Sequence, residues 1–172
     1  MTQANPSRAL FIGIFLFLAA AACAVAPMPI LYRSLGVVLF SYASFALAGS
    51  QLALFTALIA PVVGLLSGSE DWLVMLPIIL ASNLLGMLGL EFAWRYAAVI
   101  VSPLLLSAPG VVSVVLSGQE LFEVDLPWQG DGFTWIGLHA LVALLGVLGA
   151  LLLDRNRRRR LGASQSELPE AA

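Results

Sequence analysis

Residues 34–69 read SLGVVLFSYASFALAGSQLALFTALIAPVVGLLSGS, 36 positions without one charged side chain. A membrane-spanning helix takes about 17–25 residues, so this run is too long for one span. Gly49-Ser50-Gln51 lies near its middle and is its best turn signal. Dividing the run there predicts helices over about 31–48 and 52–67. The competing reading keeps 34–69 as one long tilted or kinked helix.

On either side of it, four more charge-free runs cover 9–32, 72–90, 96–119 and 132–153. Only 10% of the 172 residues are charged and 60% are hydrophobic, whereas a soluble domain is typically about 25% charged. Charge-free runs near 20 residues match the hydrocarbon thickness of a bilayer. This pattern excludes a soluble globular domain, a disordered chain and a nucleic-acid binder. The expected fold is all-α: a polytopic membrane bundle of six helices at about 9–26, 31–48, 52–67, 72–90, 94–117 and 134–153, or five if 34–69 is undivided. Residues 1–160 form one transmembrane domain in this reading, and 161–172 a disordered cytoplasmic tail.

Charge placement sets the expected orientation. Arg155, Arg157, Arg158, Arg159 and Arg160 directly follow the sixth run, and basic residues collect on the cytoplasmic side of membranes. Six spans then put both termini in the cytoplasm of a cell's inner (cytoplasmic) membrane, bacterial in type. Seven of the eight basic residues fall inside, with Arg33 alone outside. The acidic loops 67–71 and 118–133 fall outside, and the latter is expected to form an interfacial lid. Trp72, Trp128 and Trp135 are expected at the outer interface and Trp94 at the inner one. Ala24-Val25-Ala26 has the look of a signal-peptide cleavage site, but Pro27 follows it, so residues 1–26 are read as a retained span.

Reactive residues are scarce. No phosphate loop, zinc-protease motif, paired cysteines or hydrolase elbow is present. One cysteine, Cys23, and one histidine, His139, argue against an internal disulfide, a metal site or a haem, and no cofactor is expected. No predicted helix has an ionisable Asp, Glu, Lys or Arg in its interior, which argues against a proton-driven antiporter. No enzymatic activity is expected.

Three residues stand out as ligand-binding candidates: Arg33, Asn83 and His139. Each has a plainer reading. Arg33 can snorkel to lipid phosphate. Asn83, mid-span beside Ser82, can join two helices. His139 can bond a backbone carbonyl or a serine of a neighbouring helix. The plainer reading is favoured for all three. Ser102, Ser107 and Ser113 are weaker candidates, because serine can bond its own helix.

Pro61, Pro77, Pro103 and Pro109 lie inside predicted spans. Each removes one helical hydrogen bond, and Pro109-Gly110 is expected to divide the fifth helix. Small residues spaced by three or four, Ala20/Ala24, Ala22/Ala26 and Ala143/Gly146/Ala150, allow close helix approach. Glu91 and Arg95 are spaced for a helix-surface ion pair.

In span count, chain size and the Ala20/Ala24 spacing the chain is similar to the substrate-binding subunits of energy-coupling-factor transporters. No ligand-binding motif matches residue by residue. The resemblance implies a solute-binding subunit that works with a separate ATPase module and has no ATPase of its own. The alternative is a non-catalytic structural or assembly subunit of a cell-envelope complex. Expected partners are the lipid bilayer and other membrane subunits; the sequence names no ligand.

Overall fold

The computed structural model describes residues 6–68, 70–92, 97–118 and 132–166. They form six helices: α1 (Pro6–Val25), α2 (Ile30–Leu47), α3 (Ser50–Leu66), α4 (Glu70–Phe92), α5 (Ala98–Gly118) and α6 (Gly132–Ser166). The run at 34–69 is therefore two helices. The break falls where Ala48 and Gly49 donate from their backbone N–H groups to the Ser44 carbonyl at 2.8 and 3.0 Å. Gly49 then takes φ +112°, a conformation open to glycine because it has no Cβ. From there α3 restarts with Ala53 N–H donating to Gly49 O at 3.1 Å.

Consecutive helices pack side by side, and α1–α3 and α2–α6 close the bundle. Side-chain bonds fix the directions. Trp72 at the start of α4 reaches Ala24 at the end of α1, and Ser50 at the start of α3 reaches Glu91 at the end of α4. His139 near the start of α6 meets Ser34 near the start of α2. The even-numbered helices thus begin at one end of the bundle and the odd-numbered ones at the other.

Among the described residues three helical stretches are long and apolar enough to cross a membrane: Ser7–Val25, Ile30–Leu47 and Phe133–Leu153. Shorter apolar stretches among the described residues are Ser50–Leu66, Ile79–Gly89 and Val99–Ala108. Large apolar side chains face outward on every helix, with Phe11 73%, Leu66 80% and Leu104 66% exposed. In water such a surface would drive aggregation; it is the exterior of a membrane protein.

Several expectations change. Trp72 and Trp135 are buried in the bundle and so do not face outward as belt residues would. Pro109-Gly110 does not divide α5, which is continuous from Ala98 to Gly118; a proline removes only one N–H, and the neighbouring turns keep the helix together. α6 runs past Leu153 to Ser166, so residues 161–166, expected as tail, continue the helix. Arginine and alanine are strong helix formers and no proline interrupts them. Trp94, Arg95, Trp128, the acidic residues of 119–131 and residues 167–172 lie outside the described residues. So does the expected Glu91–Arg95 pair; Glu91 Oε1 accepts from Ser50 Oγ at 3.2 Å.

Close approach holds the bundle together, because lipid is as apolar as the side chains and offers no hydrophobic drive between helices. Ala20 and Ala24 of α1 and Ala143 of α6 are fully buried within the chain. Two aromatic rings lie close against glycines. A Cβ on Gly64 would come within 2.5 Å of Trp72 Nε1, and one on Gly146 within 2.6 Å of Tyr42 Cγ. Gly64→Ala and Gly146→Ala are therefore expected to destabilise by about 1–3 kcal/mol in an equilibrium unfolding titration, the usual cost of overpacking. A Cβ on Gly137 would meet nothing within 4 Å, so Gly137→Ala should cause no loss of stability in the same titration.

Candidate functional site

Buried polar side chains occur along the bundle, from Ser34 and His139 near the starts of α2 and α6 to Ser44 and Ser102 toward the other end. Ser34, Ser82, Asn83 and His139 line one cavity together with Val38, Ile79, Leu106 and Trp135. The space open to a water-sized sphere is about 10 Å³, room for about one water molecule. The structure thus brings Asn83 and His139 together. Arg33 is not among the cavity's lining residues; its Nε donates to the Met28 carbonyl at 2.5 Å, across the turn that joins α1 to α2.

His139 stands on α6 one turn beyond Trp135. Their rings stack at 4.2 Å between centroids and 13° between planes. His139 Nδ1 lies 3.1 Å from the Trp135 carbonyl. A carbonyl only accepts, so this contact assigns the proton to Nδ1. Nε2 is then the acceptor, and Ser34 Oγ donates to it at 3.0 Å. Ser34 Oγ is also 2.8 Å from the Leu31 carbonyl of its own helix, so its one proton serves two acceptors. The result is a chain from α2 through the imidazole to the α6 backbone. A serine, a histidine base and an orienting carbonyl are the parts of a nucleophile. Here both side chains are buried, and the adjoining cavity has room for about one water molecule.

Asn83 has a structural origin that the sequence contains but does not announce. Pro61 has no N–H, so the Ala57 carbonyl four residues earlier has no partner in α3. Asn83 Nδ2 of α4 donates to that carbonyl at 3.0 Å. Trp72 does the same for α1: its Nε1 donates to Ala24 O at 2.9 Å, one of the carbonyls a helix C-terminus leaves unpaired. Each side chain replaces a missing backbone donor and joins two helices.

Two polar contacts go beyond the sequence-based candidates. Tyr42 of α2 hydrogen-bonds Ser102 of α5 through its hydroxyl, while its ring packs on Gly146 of α6. Ser34, the partner of His139, is the other. The available signal is spacing: Ser34, Ser41 and Ser44 recur at seven and three residues along α2, one face of a helix, and all three are buried. Ser41 and Ser107 bond their own helices, to Val37 O at 2.7 Å and Pro103 O at 2.6 Å. The side chain of Ser113 is outside the described residues. Among the described residues no group of three His, Cys, Asp or Glu could hold a metal ion.

Comparison with models of known protein families, with curated proteins and with solved structures finds no match to this chain.

The Pro61–Asn83 relation makes a double-mutant prediction. Asn83→Ala should cost about 1–2 kcal/mol, a buried hydrogen bond within a membrane bundle. In a Pro61→Ala background residue 61 regains its N–H and serves Ala57 O itself, so the cost should fall by about 1 kcal/mol. Equal costs in both backgrounds, measured by equilibrium unfolding in mixed micelles, would refute the assigned role.

Proposed function

We propose that this protein is a multi-pass subunit of the inner (cytoplasmic) membrane with six spans and both termini in the cytoplasm. It binds a small polar solute, acts with partner membrane proteins, and has neither a catalytic step nor an ATPase of its own. One observation carries the solute-binding part. Asn83 and His139, distant in sequence and on different helices, line a common cavity with Ser34 and Ser82. Polar groups are costly in an apolar interior, and small-molecule sites place a few of them on a mostly apolar wall. The alternation of helix directions supports six spans, because it puts Arg8 and Arg155 at one end, as basic residues on one side of a membrane require. α3, with 17 residues, rises about 26 Å, short for a ~30 Å core but within the range of single spans.

A second reading, a structural or assembly subunit of a cell-envelope complex, has its own supporting observation. The cavity has room for about one water, and His139, Ser34 and Asn83 already bond within the chain.

The two readings differ in a thermal-stability screen of the protein in lipid nanodiscs against small polar solutes. Solute binding predicts that one chemical class raises the melting temperature and that Ser82→Val abolishes the rise. The assembly reading predicts no solute response and a membrane protein partner recovered after cross-linking in cells. Topology has a separate test in a Cys23→Ala background. Cysteines placed at 120–131 should react with an impermeant maleimide in intact cells, and those at 155–170 only after permeabilisation. The reverse pattern would overturn the orientation.

A further inference from the structure

α6 is longer than a span needs. Its apolar stretch ends at Leu153, yet the helix continues to Ser166. Directly beyond Leu153 the sequence is Asp154-Arg155-Asn156-Arg157-Arg158-Arg159-Arg160, so five of the chain's eight basic residues belong to this extension. The helical backbone sets their depth. At about 1.5 Å per residue, position 155 lies roughly 3 Å and position 160 roughly 10 Å beyond Leu153 along the axis. The headgroup layer of one leaflet is about 5–8 Å deep, the margin between a ~30 Å hydrocarbon core and a ~40–45 Å bilayer. With Leu153 at the hydrocarbon boundary, positions 155–160 cover the depth of the lipid phosphates, and residues 161–166 stand in water.

The depth is held from below. Ala143 and Val147 of α6 are fully buried, and the Tyr42 ring rests on Gly146, so α6 is locked against α2 within two turns of Leu153. A disordered tail would let the same charges drift through the aqueous layer. Arg8 is exposed at the start of α1, at the same end of the bundle. The described acidic side chain at that end, Glu91, is turned to Ser50.

We propose that residues 154–160 of α6 form a fixed-depth binding site for the phosphates of anionic lipids, and that these lipids stabilise the folded bundle. Guanidinium suits the role, because its planar donors pair with phosphate oxygens. The proposal rests on α6 spanning the bilayer and does not depend on solute binding or on which leaflet faces the cytoplasm.

The test uses the full chain in nanodiscs of phosphatidylcholine alone and of phosphatidylcholine mixed with phosphatidylglycerol. The readouts are melting temperature and, by native mass spectrometry, the lipid retained. The wild type should melt several degrees higher with the anionic lipid and retain it at least ~10-fold in preference. Replacing Arg155, Arg157, Arg158, Arg159 and Arg160 together by Gln, which keeps helix propensity, should remove both effects. In a second variant a six-alanine spacer between Leu153 and Asp154 keeps every charge and moves it about 9 Å outward. It should lose most of the retention. Full retention in the glutamine variant would overturn the site, and full retention in the spacer variant would overturn its fixed depth.

Discussion

The Ala57 carbonyl, left without a helical donor by Pro61 and taken by Asn83 at 3.0 Å, shows the demand that this bundle is built to meet. In hydrocarbon no water is present to satisfy a backbone polar group, so each must find its partner within the protein. An interruption in a helix is tolerated where a neighbouring helix supplies the missing donor. Asn83 does this for α3 and Trp72 for the C-terminus of α1. Both donors come from α4, which is thereby tied to the two helices that precede α2 and follow it. The same demand explains the serines and threonine that bond back to their own helices at Val37, Leu52 and Pro103; the Ser107 hydroxyl also lies 3.5 Å from the Ile136 carbonyl of α6.

The second constraint is contact area. Helices in lipid gain from close packing and interhelical hydrogen bonds, so the pairs that matter here set a large ring against no side chain at all. Trp72 fills the space over Gly64, and Tyr42 the space over Gly146. Tyr42 adds a hydroxyl bond to Ser102 and so ties α2, α5 and α6 together at one level. Phe17 and Phe55 meet at 5.0 Å and seal α1 to α3. These contacts put α2 at the centre of the fold, flanked by α1, α3 and α6. They also put the polar cluster of Ser34, Asn83 and His139 on its inner side.

That cluster is where structural demands and the proposed function overlap. Asn83 and His139 are both occupied by bonds that stabilise the bundle, and they also line a common cavity. Changes at these positions therefore disturb packing as well as any bound solute. Ser82, whose neighbour Asn83 carries the structural bond, is the position where the two roles separate best.

Much of the fold was legible in the sequence, because helix formation in an apolar environment depends on local quantities. The lengths of the charge-free runs and a glycine able to take positive φ at position 49 are enough to divide the chain into six helices. Spacing alone did not say which small residues pack: Ala20 and Ala24 are buried, whereas Ala22, spaced in the same way from Ala26, is exposed. Other features were beyond it. Trp72 and Trp135 have the composition of interface residues, yet they pack inside, because their partners are Ala24, Gly64 and His139, from one turn to tens of residues away. Ser34 gains its role only when α2 and α6 lie side by side in the same direction and bring it to His139, 105 residues on. Which segments become helices was thus written in the chain, since each helix closes its own backbone bonds. Which polar side chains meet was settled by the packing of finished helices, since those contacts depend on the faces the helices turn to one another.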